Sequence, residues 1–241
     1  MKLDYPIRLN SYLAKSGHGS RRHCETLIEE GRVKVNNQIV EQLSLVVEKN
    51  DVVHVDDVLA KPLERGLYYA LNKPVGYVSS NTDPFEKLYA RDLLTVENVN
   101  YLFHVGRLDK ESSGLMIFTN DGDFGNFITH PSNEVEKEYE VTINKDIKIE
   151  DLRAALKGVK IYRNQGLYKI KRYKILTKQK ILVTLTEGKN REIRKIFDHL
   201  GYKIGRLKRI RIGPIELGNL KEGRFKTISP HLIDALLGGK N

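Results

Sequence analysis

Asp109 lies in a short polar segment between two apolar stretches, with Arg107 two residues before it. The apolar run 115–118 that follows is predicted to form a buried strand. A carboxylate held on such a rigid element can act as a nucleophile or a base. However, an aspartate in a glycine-flanked turn more often caps the backbone, and Asp121-Gly122 after the run is typical of a hairpin. By itself, the segment favours a structural role for Asp109 and leaves a catalytic role open.

Sequence motifs for several other kinds of chemistry are missing. Gly188-Lys189 lacks the upstream glycine and the following Ser or Thr of a phosphate-binding loop, and no Gly-x-Gly-x-x-Gly follows a strand. There is no nucleophile-elbow serine, and His18, His23 and Cys24 do not match a zinc-ligand spacing. The sequence therefore predicts no cofactor and no metal, and it disfavours a methyltransferase.

The residue types that remain are a carboxylate, arginines and a tyrosine. This set suits cofactor-free chemistry at the anomeric carbon of a sugar, where a carboxylate can trap or stabilise an oxocarbenium-like centre. A nearby arginine keeps the carboxylate ionised, and an aromatic ring can stack on a base that has left its helix.

The distribution of charge predicts a polyanionic partner. The net charge is +10, but residues 1–61 carry nine basic and nine acidic side chains, and residues 62–152 carry nine and sixteen. Residues 153–226 carry twenty-two basic and five acidic side chains. Because apolar periodicity continues through this segment, it is expected to be a folded nucleic-acid-binding face and not a charged tail.

Cysteine content and hydropathy indicate the compartment. A single cysteine, Cys24, excludes an internal disulfide and fits a reducing cytosol. Residues 1–8 lack the apolar core of a signal peptide, and no stretch approaches the roughly 20 apolar residues of a membrane span. We therefore expect a cytoplasmic protein without a membrane partner, and we expect it to be a monomer.

The first sixty residues are predicted to form a separate module of two helices followed by short strands. Leu9, Tyr12 and Leu13 have helical spacing, Ser20 can cap a second helix, and Val33-x-Val35 alternates as a strand does. Its pattern, with Arg8-Leu9-Asn10, Ser20-Arg21-Arg22 and Gly31-Arg32-Val33, resembles the S-four RNA-binding domain. We expect the cations Lys15, Arg21, Arg22 and Arg32 to contact RNA phosphates.

Beyond a short linker at 61–66, the pattern mixes strands and helices. Strands are predicted over 67–71, 102–105, 138–143 and 181–185, and a short helix over 152–156. The clearest helix has Ile193, Ile196, Phe197 and Leu200 on one face and ends at Gly201. We expect two domains, 1–62 and 63–241, in an α+β chain.

Five ordered motifs of the chain together resemble the pseudouridine synthases. They are Lys73-Pro74-x-Gly76-Tyr77, Gly106-Arg107-Leu108-Asp109 with its Gly114-Leu115 strand, Lys137-Glu138-Tyr139, Leu185 to Lys195, and Arg206 to Gly213. The form of the last two is similar to the RsuA/RluB branch, and within it to members that modify large-subunit rRNA. The resemblance implies a catalytic domain built on a mixed, mainly antiparallel sheet flanked by helices.

The resemblance also implies roles for individual residues. Asp109, Tyr139 and Arg194 are the expected catalytic residues, and Arg107, Leu185 and Lys73 are expected to bind the substrate. Further RNA contacts are expected from Arg191, Lys195, Arg206 and Arg209, with Lys203 and Lys208.

The activity implied is the site-specific isomerisation of uridine to pseudouridine in ribosomal RNA, free or in a pre-ribosomal particle. Large-subunit rRNA is the expected substrate. Two alternatives stay open, a small-subunit rRNA synthase and an RNA-binding assembly factor without catalytic activity.

Overall fold

The computed structural model describes residues 3–80, 87–161 and 166–238. The chain divides into two compact units. The first unit consists of Met1–Leu67 together with Thr95–Phe103 and Thr119–Asp121. The second unit consists of Tyr68–Leu94, His104–Phe118 and Gly122–Asn241. The domain boundary expected at residue 62 lies within the first unit.

The first unit begins with a two-residue strand that is not predicted, and the predicted two helices and short strands follow it in order. Its elements are β1 (Ile7–Arg8), α1 (Leu9–Lys15), α2 (Arg21–Glu29), β2 (Val33–Val35), β3 (Gln38–Ile39), β4 (Val46–Val47), β5 (Val53–Val55) and β6 (Val58–Leu59). The Ser20 hydroxyl accepts a hydrogen bond from His23 N at 3.2 Å, which confirms the predicted helix cap.

Four of these strands form an antiparallel sheet in the order β3-β2-β5-β6. Asn36-Asn37 and Asp56-Asp57 connect its hairpins with positive φ at both positions, which is the geometry of the tight turns that match strand twist. The apolar faces of the helices and strands share one core, and Leu9, Leu13 and Ile28 are fully buried in it.

The second unit contains the longer strands and four α-helices of the described chain. Its strands are β7 (Tyr68–Lys73), β8 (Phe103–Val105), β9 (Ser113–Thr119), β10 (Lys137–Ile143), β11 (Val159–Lys160), β12 (Leu167–Tyr168), β13 (Arg172–Thr177), β14 (Lys180–Leu185), β15 (Ile204–Ile212), β16 (Ile215–Glu216) and β17 (Phe225–Thr227). Its helices are α3 (Gly122–Thr129), α4 (Ile149–Lys157), α5 (Glu192–His199) and α6 (Pro230–Gly238). Within the described ranges, no helix is long and apolar enough to cross a membrane.

A nine-stranded sheet organises this unit. Seven strands follow the order β13-β14-β10-β15-β9-β7-β17, β16 pairs with β15, and β8 pairs with β9. The pairing of β9 with β15 is parallel, whereas β10 pairs antiparallel with both β14 and β15. The expected mixed, mainly antiparallel sheet is confirmed.

Gly114 allows β9 and β15 to approach each other closely. It pairs with Arg209, and its φ of +104° lies in the region that favours glycine. A Cβ added at this position would collide with the carbonyl oxygen of Arg209 and lie 2.7 Å from its nitrogen. The Gly-Leu strand that follows Asp109 is thereby held directly against β15.

The expectation of a hairpin after β9 is wrong. The chain enters α3 at Gly122 instead of reversing into an antiparallel partner. Aspartate and glycine suit the start of a helix as well as a two-residue turn, so the local signal does not separate the two structures.

Candidate active site

Asp109 lies in the turn between β8 and β9, and its side chain is 30% exposed. The turn is closed by a hydrogen bond from Ser112 N to the carbonyl oxygen of Asp109, at 3.0 Å. Two guanidinium groups face the carboxylate. Arg194 Nε and Arg191 Nη1 each lie 3.6 Å from Asp109 Oδ2, which is the distance of an ion pair.

Both arginines come from the start of α5, the helix that the apolar spacing predicts. They are three residues apart and therefore lie on neighbouring positions of the helix surface. Arg194 Nη2 also donates to Ser112 Oγ at 3.0 Å and to the carbonyl oxygen of Glu111 at 3.1 Å. One guanidinium thus contacts the carboxylate and two residues of the turn that carries it.

Arg191 is expected to contact RNA, and in the structure it also occupies the N-cap position of α5 and contacts Glu111. It caps α5 with a left-handed φ of 52°, and its Nη1 donates to Glu111 Oε2 at 3.0 Å. The hydrogen bond from Arg191 lowers the pKa of Glu111. Predicted as a phosphate contact, Arg191 is placed by the structure beside the candidate nucleophile.

A cavity of about 820 Å³ opens beside Asp109. A smaller pocket of about 90 Å³ adjoins it, and Asp109, Arg107, Tyr139 and Arg191 line both. The structure therefore brings together most of the residues that the motifs predict, although they come from four separate stretches of sequence. Arg107 is exposed and is accessible to a polyanionic ligand.

Tyr139 and Leu185 lie on neighbouring strands of the sheet. Tyr139 belongs to β10, and Leu185, at the end of β14, pairs with Lys137. Tyr139 is 8% exposed and Leu185 is 3% exposed, and both line the smaller pocket. An aromatic ring and an apolar side chain at a concave surface provide the two faces between which a planar base can be held.

Arg209, which is expected to contact RNA, is a buried cation in the structure. Arg209 pairs with Tyr139 across a β-bulge, and only 3% of the residue is exposed. Its Nε donates to the carbonyl oxygen of Leu115 at 2.7 Å. Nη2 has no hydrogen-bond partner within the described residues. Arg209 lies in the wall of the large cavity and not on the outer surface.

Lys137, from the Lys-x-Tyr motif, is also a buried cation of this wall. Burial, with a smaller effect of the nearby Arg209 charge, lowers its pKa to about 8. The Nζ atom donates to the carbonyl oxygen of Thr186 at 3.3 Å. Together, Lys137 and Arg209 make the inner wall of the cavity strongly basic.

Lys73, which is expected to bind the substrate, is not among the described residues that line the two cavities. It is fully buried, and its Nζ donates to the carbonyl oxygens of Pro74 and Tyr77 at 2.8 and 2.7 Å. Burial lowers the pKa of Lys73 to about 8. The side chain closes the loop of the first motif, and its contact with the substrate stays a prediction.

The expected RNA-contacting residues of the first unit differ in their availability. Arg21 and Arg22 are exposed at the start of α2, and Lys15 is half-buried. The guanidinium of Arg32 is paired with both carboxylate oxygens of Asp56, at 2.9 and 2.6 Å, and with Glu30. Arg32 would have to exchange these partners to bind a phosphate.

In the second unit, a separate basic pocket of about 310 Å³ lies along α5 and the start of β15. Arg191, Arg194, Lys195 and Lys203 line it, with Asp198 as an acidic residue. Further along β15, Arg206 is exposed and Lys208 is half-buried. This surface is the continuation of the arginine pair at Asp109.

Three further polar residues contribute to the site, and of these Ser79 and Glu192 are not predicted from the sequence as site residues. Ser112 accepts from Arg194, and Ser79 hydrogen-bonds the backbone of Leu108. The buried carboxylate of Glu192 accepts from Lys189 N at 3.1 Å, and burial raises its pKa. Ser79 and Ser112 carry no periodicity or spacing signal, because each acts through a neighbour that is distant in sequence.

Comparisons with known proteins agree with this geometry. The RNA pseudouridylate synthase family model matches residues 67–199, and the S4 domain model matches residues 7–53. An uncharacterised RNA pseudouridine synthase of Borreliella burgdorferi is 39% identical, over 95% of this chain and 92% of that protein.

Two other relatives carry more specific names. The ribosomal large subunit pseudouridine synthase B of Bacillus subtilis is 32% identical, over 95% of each chain. The dual-specificity RNA pseudouridine synthase RluF of Escherichia coli is 37% identical, over 96% of this chain and 79% of that protein. A crystal structure of a pseudouridylate synthase superposes with a TM-score of 0.71 at 28% identity, covering 95% of this chain and 99% of that one. The chain therefore belongs to the RNA pseudouridylate synthase family, carries an S4 domain in its N-terminal part, and is a pseudouridine synthase.

Proposed function

We propose that this enzyme isomerises a specific uridine of large-subunit ribosomal RNA, with Asp109 as its catalytic carboxylate. The observation that carries the proposal is the position of Asp109, which two arginines face and which borders a basic cavity next to Tyr139 and Leu185. The name of the Bacillus subtilis relative and the form of the 187–195 and 206–213 motifs support the large-subunit substrate.

In the proposed reaction, the bond between N1 of uracil and C1′ of ribose breaks, and a bond between C5 and C1′ forms. N1 gains a proton, and C5 loses one. Asp109 either attacks C1′ or promotes formation of a glycal, and both routes use the same carboxylate. Arg194 pairs with the Asp109 carboxylate and fixes its orientation, because it contacts both the carboxylate and Ser112.

The other cavity residues hold the base and the RNA. Tyr139 stacks on the uracil or accepts the final proton, and Leu185 packs against the other face of the base. The exposed Arg107 fills the space that the flipped nucleotide leaves, or contacts its phosphate. Extrusion of the nucleotide costs a few kcal/mol, which phosphate contacts by exposed cations of both units offset. We infer a monomeric, cytoplasmic enzyme.

The test is pseudouridine mapping by carbodiimide modification on large- and small-subunit rRNA transcripts. The wild-type enzyme is expected to modify the large-subunit transcript, and Asp109→Asn, which keeps the size of the side chain, is expected to modify neither. Asp146→Asn removes an exposed carboxylate that borders neither cavity and serves as the control. Modification by Asp109→Asn would remove the catalytic assignment, and modification of the small-subunit transcript alone would overturn the proposed substrate.

A further inference from the structure

The segment 76–79, which includes the end of the first motif, forms hydrogen bonds with the backbone of the Asp109 turn. Gly76 N donates to the carbonyl oxygen of Lys110 at 2.8 Å. The hydroxyl of Ser79 donates to the carbonyl oxygen of Leu108 at 2.8 Å and accepts from Leu108 N at 3.1 Å. The residues on both sides of Asp109 are thus tied to the segment 76–79.

Ser79 is well placed to fix its partner. The residue is buried, with 7% of its surface exposed, and its Oγ also lies 3.8 Å from Met116 Sδ on β9. The loop that presents Ser79 is closed in turn by the two hydrogen bonds from Lys73 Nζ. Because one hydroxyl bonds both the N–H and the C=O of Leu108, it restrains the peptide planes on both sides of that residue.

We propose that Ser79 is a positioning residue that sets the direction of the Asp109 carboxylate. Arg194, on α5, contacts the part of the turn that follows Asp109, through Ser112 and Glu111. Ser79 contacts the residue that precedes Asp109, Leu108. This inference rests on the proposed function, because it requires that Asp109 is the reacting group. Misplacement of a reacting group by about 1 Å can lower the rate about 100-fold.

The test compares Ser79→Ala with Ser79→Thr, which keeps the hydroxyl. With the rRNA transcript as substrate, we expect Ser79→Ala to lower kcat about 10-fold to 100-fold and to leave KM within about twofold. Ser79→Thr should recover most of kcat. In Ser79→Ala, hydrogen exchange of the Leu108 amide should become faster, because that amide loses its acceptor.

Thr184→Val is the matched control, since it removes another buried hydroxyl from the same unit without contact to the Asp109 turn. Should Ser79→Ala not fold, Ser79→Cys replaces it under the same criteria. A folded variant with wild-type kcat, or one in which only KM rises, would overturn the inference. A wild-type enzyme that modifies no rRNA would instead overturn the proposed function, so the two failures are distinguishable.

Discussion

Arg194 contacts Asp109 and the turn that carries Asp109 with one guanidinium group. Its Nε lies 3.6 Å from the carboxylate, while its Nη2 bonds Ser112 Oγ and the Glu111 carbonyl oxygen. The planar group can make these contacts together because its donors point in fixed, divergent directions. The Arg194 side chain therefore both places a positive charge beside the Asp109 carboxylate and holds the turn that carries Asp109.

Arg194→Lys should separate these two contributions. A lysine keeps the charge, but its single ammonium cannot occupy both donor positions. We expect kcat to fall by about 100-fold while the dissociation constant for RNA changes little. Single-turnover pseudouridine formation and filter binding measure the two quantities. Arg153→Lys, on the exposed surface of α4, is the control, and an unimpaired Arg194→Lys would contradict a positioning role for Arg194.

The buried Lys137 should make stability depend on pH between about 8 and 10.5. Its pKa is about 8 in the folded protein and 10.5 for an ordinary solvated lysine, as in the unfolded chain. The unfolded chain therefore binds more protons in this window. Raising the pH through 8 neutralises the buried ammonium first, and the folded state gains stability as a result. Below pH 8 the penalty for burying the charge is present in full.

Lys137→Met removes the titrating group and is the comparison variant. We expect the unfolding free energy of the wild-type protein to rise relative to that of Lys137→Met as pH increases from 8 to 10.5, by at most about 3 kcal/mol. Urea unfolding at several pH values gives both curves. Parallel curves would show that burial does not shift the ionisation of Lys137.

Gly114→Ala should break the contact between β9 and β15. The new methyl group would overlap the Arg209 backbone, and the strands would have to separate. We expect a loss of more than about 3 kcal/mol in unfolding free energy, or failure to fold. Gly122→Ala is the control, because a Cβ there meets no atom within 4 Å. Equal stability of the two variants, measured by urea unfolding, would show that the strands can adjust.

The cations near α5, of which Lys203 and Arg206 are exposed and Lys195 is half-buried, should determine the salt dependence of RNA binding. Replacing Lys195, Lys203 and Arg206 by Gln is expected to weaken binding and to reduce the slope of log K against log salt by about 2 to 3. A second triple variant, Lys174, Lys178 and Lys226 to Gln, makes the same change in net charge at exposed positions that line none of the three pockets. An equal slope for both variants would indicate that net charge alone attracts the RNA.

Local patterns in the sequence predict four of the six α-helices of the described residues, namely α1, α2, α4 and α5, together with several strands. The spacing of Ile193, Ile196 and Phe197 predicted α5, and the three residues are buried on one face. The capping role of Ser20 was predicted for the same reason, since its signal and its effect lie within four residues. The motifs predict a site that contains Asp109, Tyr139 and Arg194, and in the structure Asp109 and Tyr139 line one pocket while Arg194 lies 3.6 Å from Asp109.

The burial of cations could not be predicted in this way. Lys73 and Arg209 look like surface residues in the sequence, because a lysine or arginine is rarely fully buried. Their burial depends on carbonyl oxygens supplied by Pro74, Tyr77 and Leu115 in the folded chain. Leu115 is distant from Arg209 in the sequence. Pro74 and Tyr77 are close to Lys73 in the sequence, but their carbonyl oxygens converge on Lys73 Nζ only once the loop has folded.

The register of β10 against β15 decides on which face of the sheet Arg209 and Arg211 lie. Glu138 pairs with Arg211 and the next residue, Tyr139, pairs with Arg209, so Ile210 is left over as a bulge. In a regular strand, residues 209 and 211 would point to the same side. Here Arg211 bonds Glu136 outside the cavity, whereas Arg209 lines it. Because Ile210 is the extra residue, its deletion would leave Glu138 opposite Arg211 and Tyr139 opposite Arg209 in a regular ladder, so each arginine would keep its present face and only the bulge would be lost.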